Sequence, residues 1–241
     1  NATECVLPDP FSLSVIVPVW MEAAGVTDTL RALQPIRNRG HEVVVVDGGS
    51  TDRTVELARP LCDRVVGSEK GRALQMNAGA AVANGDLLLF LHADTRLPEE
   101  ALEHLASFVH SRRAWGRFDV RLSGERLLFR VIAWFMNQRS RLSGICTGDQ
   151  AIFVRRDVFD ALDGFHPMPL MEDVEFSRRL CLVSHPFCIK EPVVTDSRRW
   201  QKYGAWRTIF LMWQLRWRYW RGESPESLAQ IYRSDVRNAS K

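Results

Sequence analysis

Four short apolar runs, separated by stretches of helical periodicity, fill the first 95 residues and constrain the fold more than any other feature. They are Ser12 to Val17, Glu42 to Val46, Asp63 to Val66 and Asp86 to Leu91. Each is too short for a helix, and Val, Ile and Leu follow one another instead of alternating with polar residues. A strand that is apolar on both sides needs cover on both faces, as in a parallel sheet enclosed by helices. Ala23 to Asn38 supplies one helix, with Val26, Leu30, Leu33 and Ile36 on one face. Ser50 to Arg59 supplies a second with Ser50 or Asp52 as N-cap, and Gly71 to Asn84 a third, ended by Gly85. The expected class is α/β, a Rossmann-like and mostly parallel central sheet flanked by helices. Such sheets bind ligands beyond the carboxyl ends of their strands. Those ends carry Pro18 to Glu22, Asp47 to Asp52, and His92-Ala93-Asp94.

The second half is less regular. Helices are expected over Pro98 to His110, Arg126 to Arg141, Val158 to Leu162 and Met171 to Leu182, and strands over Trp115 to Leu122 and Ala151 to Val154. Pro186 to Val194 reads as an edge strand because it carries prolines. Tyr203 to Trp220 is a long aromatic helix and Pro225 to Tyr232 a short one. From Arg198 to Lys241 the chain has ten basic and three acidic residues, so the net charge of +3 divides into a +7 tail on a −4 body. That asymmetry points to an anionic surface or a phosphate near the tail. Residues 1–200 are expected to form the main domain. Residues 201–241 are expected as a basic, Trp-rich helical extension packed on it, on a partner, or on a membrane surface. No apolar run approaches the about 20 residues of a bilayer span. The start is polar, and five scattered cysteines lack metal-ligand spacing, which predicts reduced thiols and a cytoplasmic protein, with the inner face of the membrane as its other expected seat.

The residues at the strand ends narrow the chemistry. Neither a G-x-G-x-x-G turn nor a Walker A loop follows the first strand, so the alternation does not imply a dinucleotide or a P-loop. His92 and Asp94, one residue apart on an extended turn, point the same way and suit a hard cation that also holds a diphosphate; the plainer alternative is a loop carboxylate capping the next helix. Asp47 ends the second strand beside two glycines that admit a ligand to the backbone, or it belongs to a plain N-cap. Lys70-Gly71-Arg72 and Gln75-Met76-Asn77 open a helix whose dipole favours an anion. Glu172-Asp173 opens another, either as caps or with a carboxylate usable as a general base. Arg198-Arg199-Trp200 joins fork-shaped phosphate donors to an aromatic plate, or is a solvated basic stretch.

Taken together, V-I-V-P-V-W-M-E, V-V-D-G-G-S-T-D, G-R-A-L-Q-M-N-A-G-A, L-F-L-H-A-D-T, M-E-D-V-E-F-S-R-R-L and R-R-W stand in the order found in family 2 glycosyltransferases. The chain resembles that family from about Ser14 to Trp200. Within it, the chain is most similar to a bacterial subgroup often labelled as associated with arsenosugar or radical-SAM gene neighbourhoods. The resemblance implies a GT-A fold, a nucleotide-sugar donor, and Mn²⁺ or Mg²⁺. It places Pro18, Glu22, Asp47, Arg72, Asn77, His92, Ala93 and Asp94 around the nucleotide sugar, with Asp94 as the metal ligand. It makes Asp173 the general base. It sets Glu172, Gln150, Arg199 and Trp200 on the acceptor and diphosphate side.

The implied reaction is one metal-dependent, inverting displacement that moves a sugar to an acceptor hydroxyl. The competing readings are a nucleotidyltransferase and a catalytically inactive nucleotide-sugar binder. The acceptor is expected to be lipid-linked or a small molecule, with peripheral membrane contact and a homodimer as further expectations and no nucleic-acid partner. Three departures from the family pattern matter: His92 replaces a commoner Asp, Gly48 replaces a second Asp, and no Gln precedes Arg199-Trp200. A protonated His92 would oppose a cation, so metal affinity is expected to weaken near and below pH ~6.5.

Overall fold

The computed structural model describes residues 11–197 and 204–238 of the chain. Eight strands form one mixed sheet in the order β3-β2-β1-β4-β7-β6-β8-β5. The strands are β1 (Leu13–Val19), β2 (Glu42–Asp47), β3 (Arg64–Gly67), β4 (Leu87–Phe90), β5 (Thr95–Arg96), β6 (Trp115–Leu122), β7 (Phe153–Arg155) and β8 (Phe187–Thr195). β1 runs parallel to both β2 and β4, and β2 parallel to β3, as the apolar runs predict. Beyond β4 the direction reverses, because β7 is antiparallel to both β4 and β6.

Side chains alternate across the sheet. Val15, Val17, Val43, Val45, Leu87 and Leu89 face one side, where they pack on α1 (Val26–Ala32) and α5 (Ala101–Val109). Ile16, Val44, Val46, Leu88 and Phe90 face the other, against α4 (Arg72–Val82), α7 (Arg156–Ala161) and α8 (Glu172–Val183). Both faces are buried, so only the strand ends are free for polar work. α3 (Thr54–Ala58) links β2 to β3, and α6 (Leu127–Ser143) follows β6.

Three expectations change. The first long helix is split into α1 and α2 (Gln34–Asn38), because Pro35 sits in the first turn of α2, where its missing N–H costs nothing. The Pro-bearing strand β8 lies inside the sheet, parallel to β6 and capped on its other side only by two-residue β5. A register shift between Phe118 and Asp119 brings Pro192 opposite Asp119, and such an irregularity is where a strand accommodates proline. The last helix, α10 (Pro225–Asn238), outruns its expected length and pairs with α9 (Ala205–Trp220). Leu211, Leu215 and Leu228 bury themselves with Met171, so this hairpin packs where α8 begins. Among the described residues, no helix is long and apolar enough to cross a membrane.

Gly79 sets how closely α4 approaches the sheet. A Cβ there would lie 2.5 Å from Ile16 Cγ2 and 2.8 Å from Val46 Cγ2, both on stiff β-branched side chains. Gly79→Ala is therefore expected to destabilise the fold by about 1–3 kcal/mol through overpacking, outweighing the ~1 kcal/mol helix-propensity gain. Urea unfolding checks the sign; a variant more stable than the parent would show that α4 has room to move.

Candidate active site

The site forms where the ends of β1, β2 and β4 meet the first turns of α4 and α8. The loops after β1 and β2 are tied together by side chains. Met21, left-handed at φ 57°, donates its N–H to Ser50 Oγ at 2.8 Å. Glu22 N–H reaches Thr54 Oγ1 at 2.8 Å, and Ala23 N–H reaches Asp52 Oδ2 at 3.2 Å. Asp47 is buried, and its Oδ2 accepts the N–H groups of Gly49 at 3.1 Å and Ser50 at 3.0 Å. Beneath these loops Gln75 Nε2 donates to Val19 O at 2.8 Å and Val46 O at 2.9 Å, joining the ends of β1 and β2. A Cβ on residue 48 would stand 3.1 Å from that Gln75 amide, which gives Gly48 its physical reason. At the rim the Lys70 ammonium lies over the Trp20 ring.

The opposite wall is the 3-10 turn Gly148–Gln150 together with the start of α8. Gly148 N–H donates to Asp173 Oδ2 at 2.7 Å, and Val174 N–H to Asp173 Oδ1 at 2.7 Å. Each carboxylate oxygen thus keeps a lone pair for another proton. The His92 ring lies against Gly148, where a Cβ would come within 2.4 Å of Nε2. Pro18, His92, Gly148, Glu172 and Asp173 line one cleft, floored by Met76, Phe90 and Phe165. Burial and the repulsion of Asp173 push the Glu172 carboxyl up to about 7, against the opposing pull of Arg72. Burial, with Arg72 beside it, holds the His92 imidazole well below its ordinary value. Any titration of His92 therefore lies at lower pH than the ordinary imidazole value expected from the sequence.

The expected residues fall into separate groups. Pro18, His92, Glu172 and Asp173 converge on the cleft. Arg72 opens α4 within electrostatic reach of Glu172, Asp173 and Asp94. Ala93 is buried, its carbonyl accepting the Thr29 hydroxyl, while Asp94 is exposed beside the cleft. Asn77 is turned to the fold: its Nδ2 donates to Phe165 O at 2.7 Å and its Oδ1 accepts Phe165 N–H at 2.9 Å. Gln150 is fully buried, with Oε1 accepting Thr147 N–H at 3.3 Å, so it shapes the turn carrying Gly148. Arg199 and Trp200 lie outside the described residues.

The sequence sets Gln75 only at the start of a helix and does not single out Gly148. The Q-M-N and T-G-D-Q runs were the available signal, but neither shows which strand or carboxylate it meets. Tyr232 and Arg233 of α10 also come within electrostatic reach of Arg72 and Lys70, an approach that sequence periodicity cannot reveal. Among the described residues no three His, Cys, Asp or Glu converge as a metal cage. A cation carried in by a diphosphate takes one or two protein carboxylates and completes its shell with phosphate oxygens. The exposed Asp94 carboxylate fits that use.

The mixed sheet with flanking helices matches GT-A glycosyltransferase structures. A mannosyltransferase from Pyrobaculum calidifontis, solved in complex with GDP-Man and Mn²⁺, superposes with a TM-score of 0.62 at 23% identity, covering 94% of this chain and 70% of that one. A glucosyl-3-phosphoglycerate synthase from Mycobacterium tuberculosis, solved with Mn²⁺, UDP and glucosyl-3-phosphoglycerate, superposes with a TM-score of 0.57 at 19% identity, covering 78% of this chain and 73% of that one. Residues 14–162 match the family model of glycosyl transferase family 2, and the chain belongs to that family. It is also 31% identical over 140 residues to an undecaprenyl-phosphate 4-deoxy-4-formamido-L-arabinose transferase of Pseudomonas paraeruginosa. That match covers 48% of this chain and 41% of the relative, so the chain spans less than half of that protein's length.

A carboxyl raised on folding binds its proton more tightly in the native state. Its contribution is present below the ordinary value of 4.5 and is lost as pH rises through about 7. Glu172→Gln is expected to remove that loss, gaining about 1–3 kcal/mol relative to the parent between acid and mildly alkaline pH. Denaturant unfolding across that range reads the slope, and parallel curves would show that Glu172 is ionised throughout.

Proposed function

We propose that this chain is an inverting, cation-dependent glycosyltransferase that moves a sugar from a nucleotide-diphosphate donor to an acceptor hydroxyl. The observation that carries the reading is Asp173, held at the first turn of α8 by the Gly148 N–H and facing the β4 end across a cleft. The nucleotide would lie over Pro18 and Asp47, and the diphosphate near Arg72 and Asp94. A divalent cation there would neutralise charge on the departing nucleoside diphosphate. Asp94 would hold it, and the Arg72 guanidinium would add a fixed positive charge beside the same oxygens. Asp173 would take the acceptor proton as that oxygen forms its bond to the anomeric carbon and the bond to the diphosphate breaks. One displacement inverts the configuration. Neutral His92 would add a hydrogen bond without repelling the cation. The names of the relatives, a transferase to undecaprenyl phosphate among them, support a nucleotide-sugar donor and a lipid-linked acceptor.

Screening UDP-, GDP- and dTDP-sugars for nucleoside diphosphate release, with and without Mn²⁺, tests the reading. Asp173→Asn is expected to lower kcat by about 10²-fold or more, the scale of a general base, with donor affinity nearly unchanged. Loss of donor affinity with kcat retained would remove Asp173 from that role. Asp94→Ala is expected to abolish the Mn²⁺-dependent part of nucleotide affinity measured by calorimetry while the protein stays folded. Pyrophosphate release instead of nucleoside diphosphate would overturn the proposal and favour a nucleotidyltransferase.

A further inference from the structure

α9 packs through Thr208, Leu211 and Leu215, not through its tryptophans. Trp206, Phe210, Trp213, Trp217 and Trp220 are exposed, the last at 81%. Their spacing of three and four residues places them in one stripe along the helix. A second exposed stripe lies on α6, where Leu127, Val131, Trp134 and Phe135 face outward and the last two rings meet edge to face at 4.9 Å. The two helices join where Ile209 packs on the buried Leu122, Phe129 and Ile132. Soluble monomers rarely leave so large an aromatic area open without a use.

The charge on this face selects its occupant. Neither α6 nor α9 contains a single Asp or Glu, while Arg126, Arg130 and Arg221 are exposed at or beside the stripes. The Arg221 guanidinium lies over the Trp217 ring at 5.0 Å. A second copy joined by two-fold symmetry would set arginine against arginine across the same patch. Aromatic rings interleaved with arginine suit the boundary between lipid headgroups and acyl chains, where the ring is half solvated and the cation meets phosphate.

We propose that α6 and α9 form a docking platform for the surface of an anionic phospholipid bilayer. The aromatic stripes enter the headgroup boundary, the arginines meet lipid phosphates, and the protein lies on the bilayer without crossing it. The buried face of α9 packs with Leu170, Met171 and Val174, so the platform is braced on the residues either side of Glu172 and Asp173.

Flotation of the intact chain with vesicles tests this without donor, acceptor or cation, so its failure leaves the transferase reading standing. Vesicles of equal parts phosphatidylcholine and phosphatidylglycerol are expected to bind the protein at low salt, and phosphatidylcholine alone to bind it weakly. Trp213→Ser with Trp217→Ser is expected to weaken binding about tenfold or more. Trp134→Ser with Phe135→Ser, on the other helix, should do the same, each pair with an unchanged circular dichroism spectrum. Folded protein that floats with neither vesicle overturns the proposal, as does binding equal for both lipids. A dimer that the same substitutions dissolve, with no vesicle binding, would put a second copy on the platform and also overturn it.

Discussion

Burial of both faces of β1, β2 and β4 leaves this protein nowhere to place polar chemistry except beyond the strand ends. Helices must then lie on each side of the sheet, and their approach sets the height of the loops above it. α4 comes close enough over Ile16 and Val46 that only glycine fits at position 79. From that seat Gln75 reaches the carbonyls of Val19 and Val46 and holds two strand ends at a fixed separation. A rigid floor of this kind lets the loops above hold the Asp47 carboxylate and the start of α4 in register.

The second wall of the cleft depends on a different contact. The reversal at β7 returns the chain beside β4 and delivers the Gly148–Gln150 turn to α8. One backbone N–H then connects that turn to Asp173. Burial of Glu172, with Asp173 beside it in the same first turn, raises the proton affinity of Glu172, while Arg72 opposes the rise. Arg72 also helps keep His92 neutral. The electrostatics of the site are therefore shared by α4, β4 and α8, and none of these elements sets them alone.

The C-terminal hairpin links the site to the surface. Its leucines cover the start of α8, and its tryptophans face away from the body. A helix with leucine and tryptophan on separate faces braces the cleft wall with one and presents an aromatic surface with the other.

Much of this was legible in the sequence because the period of a strand or helix is a local property. Four apolar runs placed β1 to β4, the turn residues between them marked their ends, and Trp115 to Leu122 was recovered with the same bounds. Glu172 and Asp173 were readable as acids at a helix start, and His92 and Asp94 as groups beyond a strand. Composition could not say which of several apolar residues on α9 meet the core, since leucine and tryptophan both favour burial. Only packing against Met171 decided that the leucines go in and the tryptophans stay out. Nor could sequence assign Asn77 to Phe165, Gly148 to Asp173, or β8 to the interior of the sheet. Each of these pairs partners far apart along the chain, and hydrogen bonds and close approaches of that kind exist only once the sheet has closed around them.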